Sequence, residues 1–360
     1  MNDNDIVMTK FLAILFAICS GLAIGNLYWA QPLLVQIMDG FGLPAANGGL
    51  LVTATQIGYA MGILFILPLG DFVRRKRMIA LVMVLSVLAL VSCAISPSFI
   101  ILSLSLFSMG IVTISGQIIL PLAGDLSRED ERGHIVGIVS SGITTGILFS
   151  RFASGIIAGF WGWRSVYVIA AALNLVMVLV MIYVLPEIPA KNKFKSYGKL
   201  LASVFTTFKN HSSLPNILLH SGLIFGLIFN IFWTSLTFLL SAEPFNYCLV
   251  SMVCGFAFSD SIVAIVIVAA VLSVAVQGVS VLTQTRLFNL SQGERSRLNT
   301  VFVVNNFIFG AVGSALASLL WSLGGWSYVM IAASAVSVAA LIVWLFSRSK
   351  FKYADESLDN

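Results

Sequence analysis

The chain has 360 residues, of which 59% are hydrophobic and only 10% charged, and its mean hydropathy is +0.99. That apolar share excludes an ordinary soluble domain. The net charge of +5 is scattered over loops flanking apolar stretches rather than gathered with aromatics on one surface, which argues against nucleic acid as a partner.

Apolar runs long enough to cross a hydrocarbon core of roughly 30 Å recur along the chain. In order they predict spans over 11–30, 48–69, 78–95, 99–122, 135–158, 165–185, 214–240, 260–284, 298–321 and 326–346. Runs of this length are helices, because only a helix or a closed barrel satisfies its backbone in lipid, and barrel strands are about half as long. The expected fold is therefore all-α, a polytopic membrane helix bundle of about ten full spans. One short apolar fragment, Cys248 to Phe258, is too short to cross. The first run carries Asn26, Tyr28, Trp29 and Gln31 instead of a small-residue cleavage site, so it reads as a retained span. Cys19, Cys93, Cys248 and Cys254 lie in apolar stretches without metal-ligand spacing and read as packing residues; no metal or cofactor is expected.

Lys and Arg in the short loops fix an orientation. About 18 of the 20 basic residues fall on one side, among them Arg74 to Arg77, Arg128, Arg132, Lys191 to Lys199 and Arg295, while Arg164 falls opposite. The expectation is a bacterial inner-membrane protein with both termini cytoplasmic.

An internal repeat organises the spans. Leu126-Ser127, Glu131-Arg132, Gly162-Trp163 and Tyr167 recur as Leu290-Ser291, Glu294-Arg295, Gly325-Trp326 and Tyr328. The fifth and sixth spans thus repeat as the last two. The predicted units are a six-helix bundle over 1–190, a cytoplasmic linker over 191–213, an incomplete second bundle over 214–347 and a cytoplasmic tail over 348–360. The second bundle is incomplete because its first span lies roughly 40 residues closer to the repeated segment than the first bundle's does. The gap falls where a repeat of the second and third spans belongs.

The loop after the second span reads Gly70-Asp71-Phe72-Val73-Arg74-Arg75-Lys76-Arg77. Here the chain resembles the major facilitator superfamily, whose signature between its second and third helices is matched by Asp71, Arg75 and Lys76. Leu67 and Arg74 stand where that family prefers glycines. The strings Asn26 to Leu34, Gln284-Thr285-Arg286 and Ser296 to Thr300 are similar to a branch of bacterial drug or metabolite exporters. The resemblance implies a secondary transporter working by alternating access. It also implies a gating clamp in which Asp71, Arg75 and Lys76 pack against the helix that begins at Ser296 to Thr300, whereas Arg74 and Arg77 read rather as positive-inside membrane anchors.

Within the spans, Arg151 is a cation at membrane depth and should face a partner or a watery cavity. Substrate binding or coupling competes there with snorkelling or a structural bond to carbonyls. Its surroundings, Gly142, Gly146, Gly155 and Gly159, resemble the fifth-helix motif of drug and proton antiporters without that motif's central proline. The family's cavity helices implicate Asn26, Tyr28, Gln117, Asn230, Trp233 and Gln277. Amides among aromatics suit an uncharged or cationic amphipathic solute, while helix-to-helix hydrogen bonding is the plainer role for each. With no Asp or Glu near a span centre, His220 is the candidate for proton coupling, or it is simply hydrogen-bonded. Small organic solute, proton and lipid bilayer are the expected partners of a monomer. A transport-inactive remnant, inserted but unable to cycle, is the alternative. No His-Glu-x-x-His, paired aspartates or Ser and His set points to an intramembrane enzyme.

Overall fold

A computed structural model describes residues 8–71, 73–128, 130–185, 197–211, 213–241 and 295–356, with scattered positions between 276 and 290. Among them there is no strand. The helices are α1 (Lys10–Gly25), α2 (Leu34–Gly40), α3 (Gly48–Met61), α4 (Arg75–Ala94), α5 (Phe99–Val112), α6 (Ser115–Leu126), α7 (Arg132–Trp161), α8 (Trp163–Val184), α9 (Tyr197–Asn210), α10 (Leu214–Ser221), α11 (Phe229–Ser241) and α12 (Arg295–Glu356). Seven helical stretches are long and apolar enough to cross a membrane, and α1 is a shorter apolar one. One of the seven runs over Arg297–Phe346 and is long enough for two crossings. It bends back at Gly324 and Gly325, so α12 is two arms. The chain is an all-α membrane helix bundle. The predicted span over 260–284 and the fragment Cys248 to Phe258 lie outside the described residues.

Boundaries differ from the sequence reading where local chemistry intervenes. The first span leaves the α-helix at Gly25, and a short 3-10 turn, Gln31–Leu33, follows. Pro32 supplies no N–H there, and the Trp29 indole donates back to Asn26 Oδ1 at 3.0 Å. The fourth predicted span is α5 and α6, offset at Thr113 and Ile114. Residues 197–210 of the expected linker form α9, whose Tyr197 hydroxyl donates to the Phe65 carbonyl. The expected tail continues α12 through Glu356.

The repeat is visible in the packing. Gly162 (φ 78) and Gly325 (φ 60) stand at the matching position of each copy, both in the left-handed region that glycine alone adopts cheaply. In the first copy α1 crosses α7 so closely that a Cβ on Gly21 would lie 2.6 Å from the Gly142 carbonyl oxygen, and one on Gly25 would lie 3.2 Å from that of Gly146. The second copy makes the same crossing, with Gly222 against Asn305 and Phe309 and Gly226 against Asn306 and Phe309. Small residues let helices approach where lipid offers no hydrophobic drive for association. The spacing between the crossings differs: Gly21 and Gly142 are 121 residues apart, Gly222 and Asn305 are 83 apart, and the second copy is thus shorter by 38.

The first arm of α12 joins the two copies by packing along α3. A Cβ on Gly49 would meet Ser318 Oγ and the Ser314 carbonyl oxygen, and the Thr53 hydroxyl donates to the Ala311 carbonyl at 3.1 Å. Phe238 of α11 buries itself with Leu34, Leu51 and Val52 and lies 5.5 Å from the Trp321 ring. The end of the bundle away from Arg75 is therefore closed between the copies.

Candidate functional site

Two-thirds of the way along α7, Arg151 lies 8% exposed at the seam between the copies. Its Nε and Nη2 donate to Gln31 Oε1 at 3.1 and 2.9 Å. Because a guanidinium only donates, this bond fixes the Gln31 amide with its oxygen toward Arg151. The guanidinium carbon lies 4.3 Å from the Trp233 ring centre, 4.7 Å from that of Tyr28 and 5.7 Å from that of Phe229. Such contacts stabilise a desolvated cation by about 0.5–2 kcal/mol. Tyr28 and Gln31 come from the first copy, Phe229 and Trp233 from the second. A π-helical turn, Gly222–Ile228, runs directly into Phe229.

Beside this cage the Gln56 amide donates to Asn230 Oδ1 at 2.6 Å and to Ser314 Oγ at 3.3 Å. Asn230 donates in turn to the Gly226 carbonyl at 2.8 Å. A cavity of about 10 Å³ is bordered by Tyr28 and Phe229 of the cage and by Gln56 and Asn230. That is room for about one water, so the site is collapsed in this state. A larger groove of about 340 Å³ between α1 and α7 opens outward and is apolar. Thr145 and Ser150 are the hydroxyl side chains among its lining residues.

The structure thus gathers Tyr28, Arg151 and Trp233, with Asn230 adjacent. Gln117 lies beside Tyr59, outside this cluster. Asn26 is spent on Trp29 and on Asn174 of α8, at 3.0 and 3.3 Å, and serves packing. His220 sits on α10, nine residues before Phe229, and faces the Ala340 carbonyl at 3.2 Å. Gln277 lies outside the described residues. Gln31, Gln56, Phe229 and Ser314 are members that sequence reasoning did not single out; the Tyr28-to-Gln31 spacing of three residues is a signal that could have found Gln31.

At the basic end, Arg75 Nη1 meets Asp125 Oδ2 of α6 at 2.9 Å. Asp71 closes the 3-10 turn Leu67–Asp71, and its side chain lies outside the described residues. Lys76 follows Arg75 at the start of α4.

The Major Facilitator Superfamily model matches residues 15–252. The chain belongs to this superfamily. It is 33% identical over 378 residues to the uncharacterized transporter YgaY of Escherichia coli O157:H7, covering 94% of this chain and 95% of that protein. Since 94% of 360 residues fills about 338 of those 378 positions, about 40 positions of the relative face no residue here. Among solved structures, a bacterial homologue of the human lysosomal transporter Spinster, inward-facing and occupied, matches with TM-score 0.67 at 15% identity over 96% of this chain and 97% of that one. A POT family transporter with a thioalcohol-conjugated peptide matches with TM-score 0.69 at 13% identity over 94% and 95%. These two share the fold.

Proposed function

We propose that the chain is a monomeric, proton-coupled secondary transporter that exports a small organic solute by alternating access across the bacterial inner membrane, with both termini cytoplasmic. The observation that carries this reading is the Arg151 cage: a buried cation within a span whose ligands come from both copies, so that rocking one copy against the other opens or closes it. The distribution of Lys and Arg supports an inward-facing basic end, and on that orientation the closed contact of α3 with α12 shuts the outer mouth. The Arg75 and Asp125 pair, with Asp71 and Lys76, is read as the inner clamp.

The shortened second copy favours the opposite reading, an inserted protein that cannot cycle. The match to transporters along nearly the whole chain supports the carrier instead. Solute accumulation in cells carrying this chain, an Asp71→Asn variant or an empty vector, at equal membrane abundance, separates the two. The carrier reading expects reduced accumulation that Asp71→Asn abolishes. No difference from vector for a well-inserted protein overturns it.

A further inference from the structure

Resting on the carrier reading, we infer that the solute is an organic anion, an amphipathic carboxylate or a comparable acid, recognised by Arg151, Gln31 and Trp233. Three observations carry this. First, the faces of Tyr28, Phe229 and Trp233 already surround a cation. A cationic solute entering the cage would meet a like charge in a low dielectric, so the aromatic rings here do not serve it. Second, the charge of Arg151 is not neutralised: its hydrogen-bond partner is a neutral amide, and it makes no ion pair among the described residues. A buried guanidinium without a carboxylate is an expensive arrangement that an entering anion would relieve.

Third, the polar atoms left over on the side chains that touch Arg151 are donors. Gln31 Nε2 and Trp233 Nε1 are both fully buried and without a partner, and both belong to side chains that touch the guanidinium. Two of the five N–H bonds of Arg151 go to Gln31, so the rest of the guanidinium fork is also available. Unmatched buried donors cost about 1–3 kcal/mol each. A carboxylate offers two acceptor oxygens and about four lone-pair sites, which suits a fork flanked by two further donors. The rings of Tyr28, Phe229 and Trp233 supply the apolar wall for the rest of the molecule. A neutral carbonyl could accept from some of these donors but would leave the guanidinium charge unpaired, and an ammonium would supply no acceptor at all.

The test uses purified full-length protein in detergent, with binding read by tryptophan quenching and by thermal shift. The probes are benzoate, octanoate, benzamide and benzylammonium. Saturable binding of at least one of the two acids, at least tenfold tighter than benzamide and with benzylammonium weaker still, is expected. Arg151→Gln should weaken the acid at least tenfold. In case that variant folds poorly, Gln31→Glu places a carboxylate beside Arg151 from within; it should keep or raise the melting temperature while weakening the acid at least tenfold. Benzamide or benzylammonium binding as tightly as the acids, acid binding unchanged in Gln31→Glu, or no saturable binding of either acid overturns the assignment. Loss of flux in cells with acid binding intact defeats the carrier reading and leaves this site standing. Flux of uncharged solutes without acid binding defeats the site alone.

Discussion

The α7 helix and the first arm of α12 are two copies of one repeated segment, yet their faces meet different surroundings. On α12, Ala311 is 3% exposed against α3 and Ser314 is buried beside Gln56. At the position on α7 that matches Ala311, Leu148 is 60% exposed, and Gly137, Ser141 and Thr144 continue an exposed stripe toward the basic end. Among the described residues nothing covers that stripe. The repeat supplies the reason: α12 packs on α3, so α7 should pack on the second copy of α3, and that copy lies in the 38-residue deficit. The stretch of α7 from Ser150 to Gly155 stays largely buried because α1 and the cage hold it. A shortened repeat can therefore keep the central site while leaving one wall of its approach open.

The largest expected effect comes from closing that wall. Inserting the roughly 40 missing residues from a full-length relative between Tyr247 and Cys248 should raise solute flux by about tenfold or more, a change of about 1.4 kcal/mol in barrier. Unchanged flux at equal abundance would separate the deficit from function. Next come the glycines. Gly146→Leu would drive a side chain into the Gly21 backbone at its carbonyl and should destabilise the bundle by about 3 kcal/mol. Gly137→Leu, on the open stripe with nothing within 4 Å, should stay within about 0.5 kcal/mol. Thermal unfolding in detergent measures both, and equal losses would mean that the stripe is covered. The smallest effect is at the basic end, where Arg75 and Asp125 are 12% and 37% exposed. A double-mutant cycle with Arg75→Gln and Asp125→Asn should give a coupling of about 0.5 kcal/mol that shrinks with salt.

Much of this architecture was legible in the sequence. Crossing a membrane needs long apolar runs, and the Glu-Arg to Gly-Trp interval marks the repeat; the left-handed breaks at Gly162 and Gly325 fall where that interval puts them. The deficit of roughly 40 residues read from spacing agrees with the 38 measured between helix crossings and the 40 unmatched positions in the YgaY alignment. Less of the site was legible. Arg151 stood out because a buried charge is rare in lipid, but its ligand Gln31 is 120 residues away and its rings come from a different span. Asn26 and Gln31 look alike in sequence; only packing shows that Asn26 bonds α8 and Trp29 while Gln31 faces the guanidinium. Likewise Asp125, a lone acid before a loop, carried no signal that it would meet Arg75.

The most direct test of an uncovered α7 beside a covered α12 is a matched pair of spin labels, one on Leu148→Cys and one on Ala311→Cys, in liposomes, with Cys19, Cys93, Cys248 and Cys254 replaced by Ala. The account predicts a mobile, oxygen-accessible label at position 148 and an immobile, inaccessible one at 311, with the 148 label losing its mobility once the missing residues are restored. Equal immobility at the two positions in the unrepaired chain would contradict it.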